Sequence, residues 1–264
     1  MKGIGKAIGA GIAVIIVGVI VFVVALGLNG WKLEDVGNYE IKTYECETAI
    51  TEIKLDFALG TLKTRFYDGD KIKIEYPEND KLTTTVTESN GTLTASANTS
   101  KHWWLNFGTW FRKIPTTVIS IPQNSVVGFD IQINAGTVDV AEGTYGNVKI
   151  ELNAGTLNFG KTICDSLNCT VSAGTLKVTG VTCDKVICDI SAGTVNLSNV
   201  LCDDIKVDIS AGTANIGIKG NKSEYNIDAD VSAGSCNVKS QNGSDAGKRV
   251  TVDVSAGSAN INFN

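Results

Sequence analysis

Three groups of side chains in this sequence have types and spacings that could do chemistry. The first is a column of carboxylates, Asp189, Asp208, Asp230 and Asp253, with Glu151 ahead of them, each four residues before a glycine. Carboxylates brought into a row could bridge calcium ions or, taken in pairs, serve the acid and base roles of polysaccharide cleavage. A second acidic set, Asp165, Asp184 and Asp203, directly follows Cys164, Cys183 and Cys202. Those cysteines belong to the second group. Cys164-x4-Cys169 and Cys183-x4-Cys188, with Cys202 a further 19 residues on, look superficially like a four-thiolate metal set. Four intervening residues lie at the wide end of the about two to four usual for a zinc pair, so the case against a metal set rests on the repeat frame, which explains these cysteines more simply. The third group is Lys101-His-Trp-Trp-Leu-Asn-Phe-Gly-Thr-Trp-Phe-Arg-Lys113, with three of the four tryptophans beside basic residues. Three readings fit it: a hydrophobic cover on the neighbouring strands, a membrane-surface contact through Trp103, Trp104, Trp110, Arg112 and Lys113, or a platform for a glycan or partner.

The elements that would position these groups repeat along the chain. Glycines fall at Gly136, Gly155, Gly174, Gly193 and Gly212, 19 residues apart, then at Gly234 and Gly257 after steps of 22 and 23, which implies insertions of three and four residues. Around each glycine, apolar residues occupy alternate positions. Phe129, Val148, Leu167, Val186, Ile205, Ile227 and Val250 stand seven before it, and Ile133, Leu152, Val171, Ile190, Ile209, Val231 and Val254 three before it. That is strand periodicity. Alternation resumes out of phase after the glycine (Val138 and Val140, Leu157 and Phe159), so the glycine makes a corner and the invariant alanine before it reads as fitting where two walls converge. Two strands per period predict an all-β, single-stranded β-helix or β-solenoid of ~19-residue coils stacked in parallel, in which no coil buries its face alone. An antiparallel sandwich would instead call for Asn-Gly or Asp-Gly turns between strands.

The same frame sorts the candidate residues. Cys169 and Cys188 fall in an inward column with Ile131, Ile150, Val207 and Val252, where cysteine acts as a small hydrophobe. The aspartate columns point outward. They read as a solvated face relieved by lysines such as Lys206, as a calcium ladder, or least readily as a glycosidase pair, since one histidine and three arginines are available to assist. Asn196, Asn215, Asn237 and Asn260 form a further outward column, whose amides can bond from coil to coil. The chain lacks G-x-S-x-G, H-E-x-x-H and phosphate-loop patterns, which leaves no catalytic residue and no obligatory cofactor to assign, and its net charge of −5 gives no case for nucleic acid.

Residues Ala7–Trp31 hold no charged side chain and, with Lys2 and Lys6 before them, read as a transmembrane anchor that leaves residues 1–6 in the cytoplasm and the rest outside. A cleaved signal peptide is the alternative, though the apolar run is long for one. The expected organisation is then a linker over 32–44, a divergent β region of the solenoid over 45–126 that opens with Ile53–Leu62, and a regular repeat region over 127–264. The final coil, Val250–Phe263, reads as an open edge suited to weak self-association or to meeting a partner.

An apolar N-terminal segment, a divergent β-rich lead-in, the strand Val118-Ile-Ser-Ile-Pro122 and seven strand-[S/N]-A-G-[T/S]-strand units together resemble the bacterial "putative adhesin" family of β-repeat domains. The resemblance covers roughly residues 40–264. It implies a membrane-anchored, cell-surface protein without a catalytic motif, acting in adhesion or as an accessory sensor in an envelope-stress response.

Overall fold

The structure, a computed structural model, describes residues 39–57, 60–79, 82–99 and 115–264. The apolar segment at 7–31 and the tryptophan-rich stretch with Trp103, Trp104, Trp110, Arg112 and Lys113 lie outside the described residues. Alternating β-branched and polar residues do what their period requires and form strands. In order these are β1 (Glu40–Glu45), β2 (Glu52–Phe57), β3 (Gly60–Tyr67), β4 (Lys73–Glu78), β5 (Leu82–Ser89), β6 (Thr92–Thr99) and β7 (Thr117–Pro122). They continue with β8 (Gly128–Val140), β9 (Gly143–Thr144), β10 (Asn147–Ile163), β11 (Ser166–Val171), β12 (Thr175–Ile190), β13 (Thr194–Ile209), β14 (Thr213–Ile218), β15 (Tyr225–Val231), β16 (Ser235–Cys236), β17 (Lys248–Val254) and β18 (Ser258–Phe263). All join one sheet, and among the described residues the only helical turn is a 3₁₀ turn at Lys222–Glu224.

The regular region is solenoid-like. Each coil has a leading wall before the glycine and a trailing wall after it, joined by a short third run. For one coil these are Lys185–Ile190, Thr194–Leu197 and Val200–Cys202, in parallel register with Asp204–Ile209, Thr175–Val178 and Val181–Cys183 of its neighbours. The bend between trailing wall and third run falls at Asn199, whose φ of 51° is a left-handed conformation that asparagine tolerates. Inward columns are buried along the stack, for example Ile150, Cys169, Cys188 and Val207, until the distal coil, where Ala229 is half-buried and Val231, expected inward, is exposed. A buried aliphatic side chain contributes about 1.5–3 kcal/mol, and here that burial exists only because coils cover one another.

The corner differs from the expectation. Of the seven repeat glycines only Gly136 (φ 149°) and Gly155 (φ 117°) are left-handed. The others are glycine because the next coil's backbone leaves no room: a Cβ on Gly193 would lie 2.6 Å from the Gly174 carbonyl oxygen, and one on Gly212 2.5 Å from that of Gly193. Alanine, by contrast, is not confined. Ala154, Ala173, Ala192, Ala211, Ala233 and Ala256 are exposed, because the corner is convex and its Cβ points away from both walls.

Coils do not stack in sequence order at either end. β13 pairs in parallel with β17, and β17 with β15; likewise β14 pairs with β18, and β18 with β16. The coil Val250–Phe263 is therefore sandwiched between its two predecessors, and the coil of β15 and β16 forms the distal end. This corrects the reading of the C-terminal coil as an open edge. The distal edge is also covered, by the loop 237–247. Ile227 and Gln241 exchange both backbone bonds at 2.8 Å, and the Ser240 hydroxyl accepts from Ala229 N (2.9 Å) and donates to Ala229 O (3.1 Å). The Asn237 amide does the same for Ile261, at 2.7 and 2.9 Å. Side chains thus stand in for a missing strand.

The opposite end mirrors this. β2 lies between β6 and β8, and β3 between β7 and β8, so the coil of β6 and β7 is outermost although it is second in sequence. Beyond it the pairing turns antiparallel, β5 on β6, then β4 on β7 and β1 on β4. The β5–β6 turn is Asn90-Gly91, both left-handed (φ 49° and 75°), a hairpin signal in a stretch expected to belong to the parallel stack.

Candidate functional site

The fold turns the sequence columns into two continuous outward faces. On the leading wall, in-register pairing runs Thr170, Asp189, Asp208, Asp253, Asp230. The four predicted aspartates are brought together, with the last two exchanged by the coil order. Like charges one strand spacing apart repel. Lys206 relieves this, its Nζ 2.7 Å from Asp208 Oδ2, and the carboxylates around it, Asp208 first, raise its pKa. Asp189 is the member least relieved: burial and then the Asp208 charge hold its pKa above the usual carboxylate range. Among the described residues, no three His, Cys, Asp or Glu side chains converge on one point suited to a metal ion, so the four aspartates form a row and not a cage.

A pKa raised on folding means that the charged form is the destabilising one. Asp189 therefore costs stability above its folded pKa, and the cost disappears as pH falls through that value. Asp189→Asn is expected to melt higher than the parent at pH 7, with the two melting curves converging in mildly acidic buffer. A constant offset at every pH would show that the row's repulsion is not the cause.

The trailing wall carries a different chemistry. Directly after the corner, hydroxyls stand in one unbroken register: Thr61, Thr137, Thr156, Thr175, Thr194, Thr213, Ser258, Ser235. Two residues further on stand the amides. Asn215 Nδ2 donates to Asn196 Oδ1, and Asn260 Nδ2 to Asn215 Oδ1, both at 2.8 Å, while Asn237 lies one coil beyond and caps Ile261. Asn215 spends one donor and one acceptor inside the wall, Asn196 one acceptor and Asn260 one donor, and their remaining groups are left for solvent or a ligand. With the exposed alanines alongside, this face is small-residued, flat and, from Asn196 to the distal end, uncharged.

Six of the seven cysteines lie inside, and Cys236 is half-buried. Cys169 and Cys188 are fully buried, and Cys164, Cys183 and Cys202 nearly so. All seven are free thiols, with 3.9 Å between the Cys183 and Cys202 sulfurs. The adjoining Cys164 thiol pushes Cys183 up to about 12, the Cys183 thiol and burial raise Cys202, and burial drives Cys169 well up. Thiols held protonated in this way are poor nucleophiles and poor metal ligands.

The family model of Toastrack DUF4097 matches residues 50–264. No curated protein matches the chain. Among solved structures, a "putative adhesin" from Parabacteroides merdae is similar, at 11% identity over 87% of this chain and 97% of that one, with a TM-score of 0.46. A "putative cell adhesion protein" from Clostridium sporogenes aligns over 86% of this chain and 100% of its own at 14% identity and TM-score 0.35, and a "putative lipid binding protein" from Parabacteroides distasonis over 86% and 98% at 16% and 0.42.

Proposed function

The chain belongs to the Toastrack DUF4097 family, and on that premise we propose that it is a non-enzymatic, membrane-anchored surface protein whose solenoid presents its outward ladders for adhesion. The observation that carries the reading is the hydroxyl column that continues through eight coils from Thr61 to Ser235, with the amide ladder beside it. A flat lattice of donors and acceptors repeating at about 4.8 Å suits an extended or polymeric partner, which gains from many weak, simultaneous contacts. In this reading residues 7–31 hold the chain in the membrane with its N-terminus in the cytoplasm. β1, the first described strand, then lies at the near end and the coil of β15 and β16 at the far one.

One observation favours a second role at the near end. Ala97 pairs opposite Phe57 and Thr117 opposite Leu62, so the end coil carries positions 98–116 where its neighbour needs only 58–61. The stretch with Trp103, Trp104, Trp110, Arg112 and Lys113 is thereby attached at the anchor side, which suits contact with the outer leaflet and an accessory role in envelope sensing.

Adhesion under flow tests the first reading. Cells displaying the full chain should be retained on surfaces coated with glycan or matrix protein, and cells without it should wash away. Equal retention, together with binding of the full chain to bare liposomes lost on Trp103→Ala and Trp104→Ala, would replace adhesion by the envelope role.

A further inference from the structure

The two insertions that break the 19-residue frame meet at the distal end. The first holds the 3₁₀ turn Lys222–Glu224 and the second is the loop 237–247. Gln241 Nε2 donates to Lys222 O (3.1 Å), Asp245 N to Ser223 O (3.2 Å), and Gly243 approaches the Ser223 carbonyl so closely that no Cβ would fit. Braced by the first, the second insertion raises a rim of Ser240, Gln241 and Asn242 beside the outer face of β15 and β17 and borders an open groove of about 460 Å³.

The floor of that groove holds Asn226 and Asp228 on β15 and, in register beside them, Arg249 and Thr251 on β17, with Asn242 on the rim. The rim's polar atoms are partly spent on closing the edge: Ser240 bonds Ala229, and Gly243 N donates to Asn226 Oδ1 of the floor (3.2 Å). The charged groups of the floor are not spent. Among the described residues neither the exposed Arg249 guanidinium nor the exposed Asp228 carboxylate makes an ion pair or a side-chain hydrogen bond, and Asp204, in register beside Arg249, is engaged by Lys185 at 3.4 Å. A concave site with an uncommitted cation, an uncommitted carboxylate, a free amide and a hydroxyl is equipped to recognise a polar ligand.

We infer that this distal groove binds a sugar bearing a carboxylate, with Arg249 holding the acid group and Asp228, Asn242 and Thr251 its hydroxyls. A guanidinium fork matches a carboxylate in two parallel bonds, whereas an aspartate accepts from neighbouring hydroxyls. Asp228 in the same groove opposes a phosphate, whose charge at neutral pH exceeds that of one carboxylate. Ile227 is the one aliphatic residue in the lining, too little to hold an acyl chain. The inference deepens the adhesion reading and rests on it, since it puts a terminal recognition site at the tip farthest from the anchor.

The probe is a glucuronate-terminated disaccharide, titrated by calorimetry into the full chain in nanodiscs, with the glucose-terminated disaccharide and a short peptide with a free C-terminal carboxylate as comparisons. Saturable binding of the acidic sugar is expected, weaker by at least about tenfold for the neutral one, and weaker by at least about tenfold on Arg249→Ala, with partial recovery in Arg249→Lys. Both substitutions are exposed, so an unchanged melting temperature confirms that the fold is intact. No binding at millimolar sugar, equal affinity for the neutral sugar, tighter binding of the peptide, or indifference to Arg249→Ala would each overturn the inference. Retention of cells under flow that survives Arg249→Ala would overturn the groove and leave adhesion through the ladders standing.

Discussion

Gly155→Ala is expected to be among the most destabilising single-atom-group additions in this protein, and Ala154→Leu, one residue away and far larger, close to neutral. Two costs coincide at Gly155. Its φ of 117° is a conformation that side-chain-bearing residues adopt at a strain of about 1–3 kcal/mol. A Cβ there would also lie 2.8 Å from Gly136 N and closer still to Gly136 O, both backbone atoms of the next coil that cannot move without shifting their own neighbours. Overpacking of this kind costs about 1–3 kcal/mol. The sum, on the order of 2–6 kcal/mol, lowers the melting temperature of a domain this size by roughly 5–20 °C. Ala154 is exposed on the convex side of the corner, and a surface change away from such features stays within about 0.5 kcal/mol. Thermal melts of the two variants check both halves. If leucine at 154 destabilises and alanine at 155 is tolerated, the alanine is the confined residue and the corner is built the other way round.

That pair of residues shows where reading the sequence stops. Ala-Gly is a small-small pair, and smallness has two causes that look alike in sequence: confinement, and exposure on a sharp convex bend. Periodicity could not separate them, because it reports which side chains point inward and not how near the next coil's backbone lies. Where periodicity does bear on the matter, it was sufficient. The columns headed by Phe129 and Ile133, the buried Cys169 and Cys188, and the outward aspartates lie where alternate spacing puts them, except Val231, which is exposed because its coil is the last of the stack and no further coil covers it. Coil order was not legible for a related reason. Every coil carries the same inward columns, so Val252 packs equally well above Val207 or above Ala229, and only connection lengths discriminate. The steps of 22 and 23 residues were the signal. Three extra residues let the chain pass over one vacant layer, and four more let it fold back across the distal edge to fill that layer. Asn90-Gly91 was a second legible signal, marking an antiparallel hairpin within the N-terminal end.

The permuted order has a direct chemical consequence. Asn215 and Asn260 are 45 residues apart in sequence yet stand on adjacent strands, in register, with their amides bonded at 2.8 Å. Asn237 is nearer to Asn215 in sequence but belongs to the coil beyond. In-register neighbours in a sheet lie about 4.8 Å apart, within reach of a disulfide, whereas two spacings, about 9.6 Å, exceed the limit of roughly 7 Å between Cα atoms. With Cys236, the one cysteine that is not buried, replaced by serine, Asn215→Cys with Asn260→Cys should oxidise to an intramolecular disulfide, and Asn215→Cys with Asn237→Cys should not. Closing a loop of that length withdraws up to about 4 kcal/mol of chain entropy from the unfolded state, so the first pair should also melt well above its reduced form. Non-reducing peptide mapping reads the bond, and calorimetry with and without reductant reads the gain. The opposite pattern, with 215 joined to 237 and 260 left free, would mean that the coils stack in sequence order. The distal groove would then have to be abandoned as well, because its rim, the loop 237–247, can pair with β15 through Ile227 and Gln241 only where β15 lies outside β17.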